Sequence, residues 1–168
     1  AFNGEIISGD AMQFYQGLDI GTAKASVHEQ REIPHHLLSF LDPLDSFSVA
    51  HYQQIVRSKI DVLLNQKKTP IIVGGSGLYI QSIIKDYHFS GKQRTNLYED
   101  LPLDSLQMML KEKNPMSYQR IDLANKRRVI RALEKSDEDI QDKPQDYYQD
   151  YHIIGLEMER VHLYQRIN

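Results

Sequence analysis

Residues 69–80 read TPIIVGGSGLYI, and this stretch decides the fold. Thr69-Pro70 ends whatever helix precedes it, because proline has no N–H to donate and clashes with the turn before it. Ile71-Ile72-Val73 is wholly apolar, as expected of a short strand buried on both faces of a parallel sheet. Gly74-Gly75-Ser76-Gly77 turns the chain, and Leu78, Tyr79, Ile80, Ile83 and Ile84 open a helix. Upstream, Val49, Tyr52, Ile55, Val56, Ile60, Leu63 and Leu64 recur mostly at helical spacing. Ser46 or Ser48 can cap the start of that helix, and Lys67 and Lys68 suit its C-terminal end. Helix, strand, glycine turn and helix in this order predict an α/β sheet.

The flanking segments extend the pattern. Glu5-Ile6-Ile7-Ser8 reads as a strand, and so does Tyr151-His152-Ile153-Ile154-Gly155-Leu156. Leu163, Arg166 and Ile167 predict a last helix. The middle differs. Residues 85–102 are polar and without period; Leu103, Leu106, Met109 and Leu110 mark a helix stopped at Asn114-Pro115. Val129, Ile130 and Leu133 form the apolar side of another helix, and residues 135–150 read as an acidic surface loop. The expected organisation is an α/β core over residues 1–89, a helical insertion over 90–150, and a return to the core over 151–168.

Composition narrows the function. The 168-residue chain is 40% apolar and has net charge −3, so it holds a core and is no general polyanion binder. It has no cysteine, which excludes a disulfide framework and a thiolate metal site and suits a cytoplasmic location. No apolar run nears the roughly 20 residues that cross a bilayer, so no membrane partner is expected. The chain enters a strand almost at Ala1, and further sequence is expected upstream. Charge is uneven: Arg120, Lys126, Arg127, Arg128 and Arg131 crowd one segment, a pattern that can bind phosphates.

In open α/β sheets the ligand lies at the carboxyl ends of the strands. Parallel packing of the three predicted strands would bring Asp10, Ser76 and Arg160 to one crevice. A carboxylate there can take a proton, a glycine turn at a helix start presents N–H groups to anions, and an arginine can clamp phosphate. Each has a plainer alternative. Asp10 can simply cap a turn. Gly74–Gly77 is not a Walker A sequence, since no Gly-Lys-Ser/Thr follows. The basic helix can be a solvated face. His35 and His36, adjacent on an extended segment, point opposite ways and read as structural. Phe14 and Tyr15 can stack on a base, but packing is the simpler role.

In combination these segments resemble one family. Ile6–Gln13 with Gly17–Lys24, then Pro34–Leu37, Ile71–Tyr79 and Arg127–Glu134 match tRNA dimethylallyltransferases in order, and the match resumes at Ile153–Ile167. The resemblance implies a P-loop NTPase-like α/β core with a helical insertion that grips the anticodon arm of tRNA. It implies transfer of a dimethylallyl group from dimethylallyl diphosphate to the exocyclic amine of the adenosine 3′ to the anticodon, assisted by Mg2+. Asp10 takes the place of the general base. Asp10, Ala11, Met12 and Gln13 hold the extruded adenosine, with Gln13 bonding the base. Ser76, Arg94, Ala124, Asn125, Lys126, Arg127 and Arg128 correspond to tRNA contacts, and Arg160 to a diphosphate contact. No metal ligand is expected in this chain, and a monomer is expected.

The sequence departs from the family: residues 85–105 are shorter than its insertion and 135–150 fit it poorly. It carries no Walker A-like loop, so the polypeptide by itself is expected to be inactive. Asp122-Leu123-Ala124-Asn125 stands where the family has His-Pro-Asn-Asp. The alternatives are an adenine-nucleotide prenyltransferase or a small-molecule phosphotransferase on the same core, or an RNA-binding module without chemistry.

Overall fold

The computed structural model describes residues 2–31, 33–87, 89, 96–135 and 145–167. The chain divides into two compact units, Ala1–Tyr87 with Gln145–Asn168, and His88–Pro144.

The first unit is built on a parallel sheet of three strands, β1 (Gly4–Ser8), β2 (His35–His36) and β3 (Thr69–Val73), in the order β2-β1-β3. Ile6 and Ile7 of β1 pair with Ile71 and Ile72 of β3, so β1 is central; β3 lies at an edge among the described strands and is not buried on both faces, Val73 being 53% exposed. A four-residue helix, α1 (Val27–Gln30), precedes β2. Parallel neighbours need a crossover, and α2 (Val49–Asn65) supplies it between β2 and β3. Ser48 caps α2 by accepting from the His51 N–H. Tyr52, Val56, Ile60 and Leu63, spaced by three or four, are buried with Ile7, Phe14 and Ile83 in one core. Burying such a side chain stabilises by about 1.5–3 kcal/mol. After β3 comes α3 (Gly77–Ile84).

A buried carboxylate ties the strands together. Glu5 of β1 accepts from Lys68, just before β3, and lies 2.6 Å from His36 Nε2 of β2. The Lys68 ammonium, and after it His36, hold the Glu5 carboxyl below the ordinary carboxylate range. His35 Nδ1 lies 2.8 Å from the Ile33 carbonyl. The histidine pair therefore organises β2.

The third strand is not where its sequence suggests. Residues 151–159 form no strand, and Ile153, Ile154 and Leu156 are 69%, 86% and 96% exposed. Apolar composition marks a segment able to pair, but a strand needs a neighbouring edge, and this run joins neither edge of the sheet. Just before it, the chain is committed elsewhere. Asp146 forms an antiparallel bridge with Lys85, and Tyr148 packs on the core beneath, its hydroxyl pushed up to about 12 by burial. The helix α7 (Arg160–Ile167) follows.

The second unit contains a short 3₁₀ turn (Asn96–Tyr98) and the helices α4 (Leu103–Lys113), α5 (Pro115–Arg120) and α6 (Lys126–Lys135). Tyr98, Leu106, Leu110, Val129, Ile130 and Leu133 form its core. Asn114 both ends α4 and caps α5, accepting from the Ser117 N–H at 2.9 Å, with Pro115 at the first helical position.

Candidate active site

The carboxyl ends of β1 and β3 are laced together by backbone. The Gly9 N–H donates to the Val73 carbonyl (2.6 Å), and the Ser76 N–H donates to the Gly9 carbonyl (3.2 Å). Gly74 makes this approach possible: a Cβ there would stand 2.2 Å from the Gly9 carbonyl carbon and 2.6 Å from the Asp10 nitrogen. The Ser76 hydroxyl then accepts from the Ala11 N–H at 3.0 Å. Ser76 and the Asp10–Ala11 segment, 65 residues apart, thus meet at the strand ends.

Asp10 is half-buried and does two things at once. Its Oδ1 accepts from the Met12 N–H at 2.9 Å, which is the turn-capping role. Its Oδ2 has no hydrogen-bond partner among the described residues. The turn fixes the carboxylate through one oxygen and leaves the other available as an acceptor. Gln13 is held too: its Nε2 donates to the Thr22 carbonyl (3.0 Å), and its Oε1 lies 3.5 Å from the Ser8 hydroxyl. Met12 is exposed beside them. Met12, Gly17, Leu18, Asp19, Ile20, Gly21 and Thr22 line an open hollow of about 500 Å³. Phe14 is no stacking platform. It is buried at 5.4–5.7 Å from Phe40, Phe47, Tyr52 and Tyr79, and anchors the loop in the core.

Arg160 reaches its place by a helix and not by a strand. It opens α7, is exposed, and makes no hydrogen bond or ion pair with Asp10 or Ser76. The route expected for Arg160, a third parallel strand over residues 151–156, is not taken, because that run lies outside the sheet. Arg94 lies outside the described residues.

In the second unit, the departing segment 122–125 builds a helix start. Asp122 Oδ1 accepts from the Ala124 N–H (3.1 Å), and Asn125 Oδ1 lies 3.3 Å from the Arg128 N–H at the start of α6. Lys126 donates to the Glu99 carbonyl (2.7 Å). Arg127 and Arg128 are exposed and form no ion pair among the described residues, whereas Arg131 pairs with Glu134 at 3.3 Å.

Comparison with known proteins places this arrangement. A sequence model described as IPP transferase matches residues 13–168. The chain belongs to the IPP transferase family. The tRNA dimethylallyltransferase of Anoxybacillus flavithermus is 48% identical over 177 residues, covering 99% of this chain and 57% of the relative. The crystal structure of tRNA delta(2)-isopentenylpyrophosphate transferase from Staphylococcus epidermidis superposes with a TM-score of 0.60 at 38% identity, covering 99% of this chain and 59% of that one. A eukaryotic dimethylallyltransferase acting on tRNA superposes at 0.69 with 28% identity, over 80% of this chain and 35% of that one. The chain thus spans a little over half the length of its curated relatives. The parallel sheet is that of the family's P-loop NTPase-like core.

Proposed function

We propose that this IPP transferase chain handles the tRNA half of a prenyl transfer. A dimethylallyl group passes from dimethylallyl diphosphate to the exocyclic amine of the adenosine 3′ to the anticodon. A stacked base cannot reach an electrophile held by a protein, so it must be extruded, at a few kcal/mol. Its amine is a poor nucleophile because the lone pair is delocalised into the ring. As the C–N bond forms and the bond to diphosphate breaks, the amine proton goes to Asp10. The observation that carries this role is the division of labour on Asp10, one oxygen fixed by the Met12 N–H and the other open. Gln13 reads the base, and Ser76 lies beside it through Ala11. Arg160, exposed at the start of α7, is assigned to the diphosphate. Mg2+ assisting the diphosphate is part of the reading; among the described residues no group of three His, Asp or Glu side chains is placed to hold a metal ion. The reading includes action as a monomer in the cytoplasm; among the described residues no helix is long and apolar enough to cross a membrane.

Asp10→Asn isolates the base, because the amide oxygen still caps Met12. In cells whose only copy of the gene carries this change, tRNA isopentenyladenosine measured by mass spectrometry is expected to fall by about 10²–10⁴-fold, with tRNA affinity kept. Undiminished modification would remove Asp10 from the chemistry.

The α6 start supports a phosphate-facing role. Lys126, Arg127 and Arg128 fill its first turn with no acid among them. Cations at a helix N-terminus oppose its dipole by about 0.3–1 kcal/mol each. A phosphate seated there would reverse that penalty. Arg127→Gln with Arg128→Gln is therefore expected to raise the melting temperature slightly. It should also weaken binding of an anticodon stem-loop and lower its salt slope by about one for each arginine. An unchanged salt slope would mean that this face does not meet phosphate.

A further inference from the structure

Lys24 closes the glycine-punctuated loop that follows Gln13, and the structure gives it an unusual setting. Its side chain is 5% exposed. A lysine ammonium carries three donors, and here each has a partner: the Tyr15 carbonyl (2.6 Å), Asp19 Oδ1 (2.7 Å) and Ser39 Oγ (2.8 Å). A buried charge is tolerated when it is paired and fully bonded, and this one is. The three partners lie on three different pieces of chain. Tyr15 adjoins the anchored Phe14. Ser39 is tied to the Gln13 carbonyl by its own N–H (3.0 Å). Asp19 belongs to the loop itself, whose turn is closed by the Lys24 N–H donating to the Asp19 carbonyl (3.0 Å).

That loop carries the Thr22 carbonyl, which receives the Gln13 side-chain amide (3.0 Å). Thr22 is also fixed by its hydroxyl to the Leu18 carbonyl (2.6 Å). Release of Lys24 frees residues 19–24 from Tyr15 and Ser39 and lets the Thr22 carbonyl drift from Gln13. The Thr22 carbonyl fixes the donor side of the Gln13 carboxamide, and the Ser8 hydroxyl, at a longer 3.5 Å, meets its Oε1. Building on the reading of Gln13 as the base reader, we propose that Lys24 is a positioning residue for substrate selection. It holds the Gly17–Thr22 loop so that Gln13 presents one fixed carboxamide orientation to the extruded base. Lys24 itself touches no substrate.

The test uses the protein as the cell makes it, with Lys24→Met, Gln13→Ala, the double variant, and Asp19→Asn. Asp19 is 61% exposed, so Asp19→Asn leaves folding intact while weakening the ammonium's charged partner. Two measurements are made: the Gln13 side-chain amide NMR signals with their exchange against water, and the affinity ratio for anticodon stem-loops carrying adenosine or inosine at the acceptor position. Protected Gln13 amide protons are expected in the parent, faster exchange in Asp19→Asn, and loss of protection in Lys24→Met. The adenosine preference is expected to drop about tenfold in Lys24→Met, within the range for a side chain reading a base. Gln13→Ala should lower it as much, and the double variant no further. A Gln13 amide indifferent to both Lys24→Met and Asp19→Asn would overturn the proposal, as would additive losses in the double variant. A parent protein with no adenosine preference would instead overturn the assignment of Gln13 as base reader, while the amide signals still decide whether Lys24 orients it.

Discussion

Gly74→Ala is expected to cut the proposed prenyl transfer by on the order of 10²-fold while Gly75→Ala, one residue on, leaves it nearly intact. A methyl on Gly74 would stand 2.2 Å from the Gly9 carbonyl carbon, 2.5 Å from its oxygen and 2.6 Å from the Asp10 nitrogen. These are backbone atoms, so no rotamer relieves the clash. The ends of β1 and β3 must part. The Gly9–Val73 bond, the Ser76–Gly9 bond and the Ser76 hydroxyl's hold on Ala11 are all made across that gap. Overpacking of this kind costs about 1–3 kcal/mol. The larger loss is functional. Asp10 sits immediately beyond the contact, and a displacement of about 1 Å is worth on the order of 10²-fold in rate. At Gly75 an added methyl meets nothing within 4 Å. Isopentenyladenosine levels and thermal melts of both variants give the comparison. Equal behaviour of the two would show that close approach at Gly74 does not position the site.

The glycine turn was legible in the sequence because its meaning is local: an apolar triplet, then residues that allow backbone to touch backbone. The same holds for α2 and α4, whose periods were written in adjacent turns. β2 was not legible as a strand, since two histidines carry no period and take their place from Glu5, some thirty residues away. Residues 151–156 were misread for the opposite reason. Their composition is that of a buried strand, but composition does not name the edge that would receive it. That the Asp10 and Ser76 segments meet was legible because each directly follows a strand, and the two strands pair in parallel. Lys24 was visible but mute. The sequence assigns Lys24 no role beyond its place in the loop, and only Ser39 and Tyr15, brought in by the fold, make it a buried charge.

Arg57→Ala is expected to destabilise the first unit by about 2–4 kcal/mol, far more than a half-buried arginine ordinarily would. The reason lies at the end of α3, where the last carbonyls have no partner within the helix. Arg57 Nη2 lies 3.2, 3.3 and 2.8 Å from the Ser82, Ile83 and Lys85 carbonyls. From the adjacent turn of α2, Gln53 adds bonds to Ser82 (2.8 Å) and Tyr87 (3.0 Å). The guanidinium also covers the Tyr147 ring at 3.5 Å, and Tyr147 in turn donates its N–H to the Ile84 carbonyl. One side chain thus caps a helix and clasps the returning segment. A cation is favoured at a helix C-terminus, and its stack on an aromatic face adds about 0.5–2 kcal/mol. Among the described residues Arg57 Nε is buried without a partner. Arg57→Lys keeps the charge but not the planar fork, and should recover less than half of the loss. Tyr147→Phe keeps the ring and should change little, whereas Tyr147→Ala should remove the stack. Denaturant melts of Arg57→Ala, Tyr147→Ala and the pair would then give a coupling energy. A coupling near zero would mean that the carbonyl cap alone holds α3 and that the returning segment is secured by its Lys85–Asp146 bridge.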